Sequence, residues 1–195
     1  SGYLSIAGVS CLALRISFTG DLGWEIYCKT SQQQIVYEAL LQEAINERGG
    51  PVGSRALMSL RIEKGYGSWS REYSPEVWPH ECGLEKLCKL DKEFLNKGEL
   101  EKKLKTNPRE SLMLIHLNEE DCILSNADAT GGEPVFKNGK GLGRITSGAY
   151  GYTVGMSLAL GYLKDVIPGD NVEVMVLGQP HRGKVLQAPP FDPDG

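Results

Sequence analysis

Hydrophobic and polar positions alternate with a period of two in two stretches near the start of the chain. Residues 11–19 (CLALRISFT) set Leu12, Leu14, Ile16 and Phe18 against Ala13, Arg15, Ser17 and Thr19. Residues 22–28 set Leu22, Trp24, Ile26 and Cys28 against Gly23, Glu25 and Tyr27. Each pattern predicts a strand with one buried face, and the Gly20-Asp21 step between them predicts a β-hairpin. Register decides what Glu25 meets. A three-residue loop places Glu25 opposite Ser17 and Tyr27 opposite Arg15, with Glu25 and Arg15 on one face and free to pair. A two-residue loop sets Glu25 against Ile16. The first keeps polar beside polar and is preferred. Either way Glu25 is a carboxylate among apolar neighbours, an expensive place for a charge unless something binds it.

A period nearer 3.6 follows. Thr30 and Ser31 are candidate caps for a helix over about 31–47, with Ile35, Val36, Ala39, Leu40 and Ala44 as its buried stripe. Gly49-Gly50-Pro51 stops it. A second helix is predicted over 54–64 (SRALMSLRIEK), with Ala56, Leu57 and Leu60 inward and Gly65 as its end. Arg61 falls one turn after Leu57, at the edge of the buried face, where an Arg calls for an anion or a carboxylate. Residues 65–80 (GYGSWSREYSPEVWPH) keep no period and are rich in aromatic residues, Gly and Pro, which predicts an ordered loop of the kind that lines a site. A short solvated helix is expected over 97–105, and Asn107-Pro108 is the best boundary.

From Arg109 on, short strand-like pieces separated by turns replace the helical texture: SLMLIHL, EPVF, GLGRITS, LALGYL, NVEVMVL and GKVLQA. Lys137-Asn138-Gly139-Lys140 is a type I′ hairpin signal. The spacing predicts a small antiparallel barrel or sandwich. Thr146-Ser147-Gly148 reads as a turn of that barrel rather than a phosphate-binding turn. The fold class is therefore α+β, with an α+β domain over 1–105 followed by a small antiparallel β-barrel over 109–195.

Composition narrows the function classes. Hydrophobic residues at 41% and charged residues at 24% suit a globular domain with a real core. A net charge of −4 and no long Lys/Arg run leave no footprint for nucleic acid. The chain has no apolar run near the length of a membrane span, and Ser1-Gly2-Tyr3 opens without signal-peptide features or an initiator Met, as expected of a cloning scar or a cut from a longer chain. Cys11, Cys28, Cys82, Cys88 and Cys122 form no CxxC pair, so buried free thiols in a reducing compartment are expected. His80, His116 and His181 are too far apart to suggest a metal site.

Six stretches in order, FTGDLGWEIY, LMSLRIEKGYGSW, PHECGL, GRITSG, LALGYL and the closing PPF, resemble the glycine cleavage T-protein (aminomethyltransferase) family. GDLGWEIY, SLRIEKGYGSW and PPFDPDG resemble in particular the C-terminal folate-binding region of dimethylglycine and sarcosine dehydrogenases. The resemblance covers nearly the whole chain. It implies two α+β domains and a β-barrel around a folate channel, of which 1–105 match the later α+β part and 109–195 the barrel. It also implies tetrahydrofolate as cofactor. Glu25 stands where the family's Glu grips the pterin ring, a job suited to a carboxylate because it can accept two parallel N–H bonds. Arg61 matches the Arg of the family's SLRLE helix that lines the channel. Tyr66 and Trp69 fall in the following loop, as ring contacts or as loop-anchoring core. Glu81 either orders that loop or reaches the channel.

The family's catalytic aspartate belongs to a first half without a counterpart in this sequence, so the chain is expected to be a fragment, inactive alone, of a folate-dependent aminomethyltransferase. An alternative is the folate module of a flavin-dependent dimethylglycine- or sarcosine-type dehydrogenase. FAD is then expected only with an upstream flavin domain, because no Gly-rich dinucleotide fingerprint is present here. A third reading is a non-catalytic regulatory or binding relative. The implied partners are folate and either a lipoyl carrier protein or an upstream dehydrogenase domain, with neither nucleic acid nor membrane. The implied location is the cytoplasm, or the mitochondrial matrix in a eukaryote.

Overall fold

A computed structural model describes residues 1–118 and 127–193, so Cys122 lies outside the described residues. The chain divides into two compact units, Ser1–Met58 and Ser59–Gly195.

The first unit is a three-stranded antiparallel sheet in the order β1-β2-β3 with a helix. Strand β1 (Gly2–Ile6) pairs with β2 (Val9–Leu14) through Ala7-Gly8, both at positive φ (48° and 81°), as a two-residue hairpin turn requires. The expected hairpin of residues 11–19 with 22–28 is corrected. Strand β2 stops at Leu14, β3 is only Glu25–Tyr27, and the ladder pairs Leu12 with Tyr27, Ala13 with Ile26 and Leu14 with Glu25. Residues 15–24 form the connection instead. Their polar side chains offer the backbone an alternative to the ladder. Thr19 donates its amide to Ser17 Oγ at 3.3 Å and its hydroxyl to Asp21 at 2.9 Å, and the Ile16 amide turns back on the Leu14 carbonyl at 3.0 Å.

Helix α1 (Gln33–Asn46) follows a 3-10 turn at Thr30–Gln32, and neither Thr30 nor Ser31 caps it with a side chain. Of the expected stripe only Val36 is fully buried; Ala39 and Ala44 are half-buried, and Ile35 and Leu40 are exposed. The reason is a small core, in which Val36 packs with Val9 and Cys11, edged by Ile6, Ile26 and Cys28.

Helix α2 (Ser54–Glu63) runs across the division between the units. Ala56 and Leu57 are exposed rather than inward, and the buried positions are Ser59, Arg61, Ile62 and Glu63. Polar partners explain this inversion. Ser59 donates to the Tyr150 carbonyl, Glu63 accepts the Thr153 amide at 2.7 Å, and Ile62 packs with Leu114, Leu158 and Leu160. Residues 65–80 hold only an isolated bridge between Trp69 and Tyr73, and helix α3 spans Lys97–Leu104.

Six strands form the closed barrel, in the order β4-β7-β6-β5-β8-β9. These are β4 (Ser111–Leu117), β5 (Pro134–Lys137), β6 (Lys140–Gly151), β7 (Met156–Leu163), β8 (Asn171–Val176) and β9 (Gln179–Val185). Asn138 and Gly139 take positive φ (52° and 74°) between Lys137 and Lys140, the type I′ geometry read from the sequence. Alternate residues fill the interior, among them Ile115, Val135, Ile145, Ala159, Val174 and Val185. Thr146-Ser147-Gly148 is not a turn. It lies inside β6, where the pairing with β7 slips by a bulge between Ile145 and Ser147.

Candidate functional site

Glu25 opens β3, and the hydroxyl of Tyr27, two residues on and therefore on the same face, donates to its Oε2. That bond is what raises the Tyr27 hydroxyl above its usual pKa. Among the described residues no ion pair joins Glu25 to Arg15, because β2 ends before Arg15 and the ten-residue connection removes it from the ladder. The Glu25 side chain is exposed, and its other oxygen accepts no hydrogen bond among the described residues.

The other three expected residues sit in the second unit. Arg61 has no exposed surface. Its Nη1 donates to the Tyr66 carbonyl at 2.9 Å and to Glu72 Oε2 at 3.0 Å, while Nε and Nη2 have no partner among the described residues. The guanidinium therefore braces the loop from inside. Tyr66 (38% exposed) and Trp69 (71% exposed) lie on the same loop and neither is a core residue.

Glu72 ties Arg61 to the loop and to the barrel. Its Oε2 accepts from Arg61, from the Ser68 amide at 2.8 Å and from the Ser68 hydroxyl at 3.2 Å. Its Oε1 accepts from Thr146 at 2.6 Å and from Ser147. Neighbouring strand residues normally point to opposite faces, and the bulge in β6 is what lets two consecutive hydroxyls reach one oxygen. Burial acts to raise the Glu72 carboxyl. The Ser147, Thr146 and Ser68 bonds and the Arg61 charge outweigh it, so the group sits below the ordinary carboxylate range. Breaking one side of such a buried pair typically costs about 3–5 kcal/mol.

Glu81, also buried, accepts from the Trp78 amide and from the backbone and guanidinium of Arg109. It orders the end of the loop. Beside Glu72 lies a cleft of about 330 Å³, whose lining includes Arg71, Glu72, Glu76, Arg109, Arg144 and Tyr162. A wider cleft of about 530 Å³ on the barrel, lined by side chains such as His116, Lys137 and Lys184, contains none of the four expected residues. No cluster able to hold a metal ion exists among the described residues.

Comparison with known proteins now gives this geometry a context. The model of the GCVT N-terminal domain matches residues 2–92, and that of the glycine cleavage T-protein C-terminal barrel domain matches residues 114–192. The chain belongs to the glycine cleavage T-protein family. Relatives include the mitochondrial dimethylglycine dehydrogenase of Homo sapiens, 32% identical over 190 residues, 95% of this chain and 21% of that protein. The probable aminomethyltransferase of Haloarcula marismortui is 31% identical over 193 residues, 96% of this chain and 50% of that protein. The chain therefore spans about a fifth of the dehydrogenase and half of the aminomethyltransferase. The fold matches glycine cleavage system aminomethyltransferase T of Bartonella henselae with a TM-score of 0.80 at 22% identity, over 93% of this chain and 50% of that one.

Within this T-protein framework, reading the sequence missed Glu72, Thr146, Ser147 and Arg109. Arg61 carried a signal that a carboxylate was needed. Glu72, Glu76 and Glu81 all stood near enough in the loop to answer it, and only the fold separates them.

Proposed function

We propose that this chain is the tetrahydrofolate-binding part of a one-carbon transferase of the aminomethyltransferase type, with Glu25 as the pterin acceptor. The observation that carries the proposal is the state of that carboxylate: exposed, held on one oxygen by Tyr27, and not spent on Arg15. Its donor chemistry fits the cofactor. Two carboxylate oxygens can accept the parallel N–H bonds of a pterin's 2-amino group and N3. When bound, tetrahydrofolate supplies a nucleophilic nitrogen that accepts the one-carbon unit. The protein's contribution is orientation. In the first unit Glu25 takes the polar edge of the ring; in the second, Tyr66 and Trp69 are the aromatic contacts, and Arg61 holds the Tyr66 carbonyl. On this reading residues 1–105 are the folate-binding part and 109–195 the barrel. The transferase activity belongs to the longer protein and not to these residues alone, and a lipoyl carrier protein is the partner that delivers the one-carbon unit.

A second reading is favoured by the 32% identity to dimethylglycine dehydrogenase across 95% of this chain. Here the same folate-binding part follows an FAD-bearing dehydrogenase domain that serves as its partner.

Calorimetric titration of the chain with tetrahydrofolate tests the proposal. The native protein is expected to bind. Glu25→Gln is expected to weaken binding by about 10- to 100-fold, the loss of charge-assisted hydrogen bonds. Equal affinity in the two would remove Glu25 from the site, and no binding by the native chain would sink the reading for these residues.

A further inference from the structure

Between Tyr66 and Tyr73 the chain makes a compact turn with little regular structure to support it. The Ser68 carbonyl receives the amides of Glu72 at 3.1 Å and Tyr73 at 3.0 Å, and the Ser70 amide returns to the Tyr73 carbonyl at 2.8 Å. Ser70 sits at a φ of 69°, a conformation a non-glycine residue holds only when its surroundings require it. Space is closed as well: a Cβ on Gly67 would lie 2.6 Å from the Tyr73 ring and 2.8 Å from Glu72 Cβ. The outer side of this turn presents Trp69 to solvent. On the inner side stands Glu72, 1% exposed, with three donors from the loop and helix α2 on one oxygen and two from β6 on the other. Its own carbonyl accepts the Tyr162 hydroxyl of β7 at 2.6 Å. No other described side chain joins the loop, α2 and β6 at a single group.

We infer that Glu72 is a positioning residue for the ligand-facing loop, fixing Trp69 and Tyr66 by clamping the loop to Arg61 on one side and to the bulged Thr146-Ser147 step on the other. The inference rests on the folate-binding reading for what the loop faces, though not for the clamp itself. The arrangement favours an ionised carboxylate. Five donors converge on two oxygens, and a protonated or amide side chain would offer fewer acceptor sites and leave the buried Arg61 charge without its counter-ion. The bulge is the matching device in the barrel. A regular strand would bring one hydroxyl to Glu72 and turn the next away.

Hydrogen exchange followed by mass spectrometry on the full chain tests the clamp without any ligand. Glu72→Gln is expected to speed exchange of the amides at 67–73 by at least ~10-fold while β7 and β8 keep their protection, since only the loop loses its anchor. Unchanged exchange at 67–73 would overturn the inference. If Glu72→Gln fails to fold, the double variant Thr146→Val, Ser147→Ala, which keeps the Arg61 pair, takes its place with the same expectation. A second arm measures tetrahydrofolate affinity in a double-mutant cycle of Glu72→Gln with Trp69→Ala. Glu72→Gln is expected to cost about 10-fold in the native background and almost nothing once Trp69 is gone, because its effect travels through that ring. Additive losses would mean that Glu72 supports the fold without positioning the loop. A native chain that ignores folate would sink the functional reading and leave the exchange result to decide the clamp.

Discussion

Arg109 donates to Glu81 through Nε and Nη2, each at 2.8 Å, and through its backbone amide at 3.2 Å. Those bonds, the guanidinium's first among them, hold the Glu81 carboxyl down at about 2, against an ordinary value of 4.5. A group whose folded value is depressed contributes stability above its unfolded value and loses it as pH falls through the folded one. The window here runs from about 4.5 down to about 2. At about 1.4 kcal/mol per unit the ceiling is about 3.5 kcal/mol. Arg109 is 64% exposed, so solvent screening brings the contribution to about 1–2 kcal/mol. Glu81→Gln is therefore expected to lower unfolding free energy by that amount at pH 7, and the gap to the native protein should close between pH 4.5 and pH 2. Urea titrations at several pH values measure it. A gap that stays constant across that range would mean that Glu81 acts through packing rather than charge.

At the scale of elements, the second unit was largely legible in the sequence and the first was not. Barrel strands announce themselves because one face fills a closed interior, so in β8 the buried Val172 and Val174 alternate with Asn171 and Glu173, and the Asn138-Gly139 turn demands positive φ. The pattern at 11–28 misled because Ile16, Leu22 and Trp24 alternate without being buried: they are 48%, 76% and 57% exposed. Period alone cannot say whether an apolar residue has a core to enter. Helix α2 was found in place, but its buried face was misread, since Arg61 is buried by Glu72 in the following loop and Glu63 by Thr153 far along the chain, and periodicity within the helix reports neither. The barrel's tightest backbone approach is likewise invisible to patterning. A Cβ on Gly143 would lie 1.9 Å from the Tyr162 carbonyl oxygen, so β6 and β7 would have to part at Gly143. Gly143→Ala is expected to cost at least ~3 kcal/mol and lower the barrel's melting temperature by about 10 °C. Gly139→Ala, with nothing within 4 Å, should cost only the left-handed penalty of about 1–2 kcal/mol. Calorimetric melts of both variants check the order.

For the whole molecule, the two units differ in what holds each together. The second closes six strands around a core in which thirteen of the described residues are buried, and the closed barrel leaves no free sheet edge among the described strands. The first rests on Val9, Cys11 and Val36, and its sheet ends in two edge strands, β1 and β3, each paired on one side only. It also leaves large side chains in water, Tyr3 at 79%, Leu22 at 76% and Val52 at 70%. A unit of this size buries too little apolar surface to be more than marginally stable, while the barrel's side chains each remove about 1.5–3 kcal/mol worth of surface from water. Unfolding should therefore occur in two steps. In guanidinium, Trp24 fluorescence, read with Trp69 and Trp78 replaced by Phe, is expected to change at lower denaturant than the amide protection of β4 and β7. Coincident transitions in the absence of ligand would mean that the small sheet draws its stability from more than its own core.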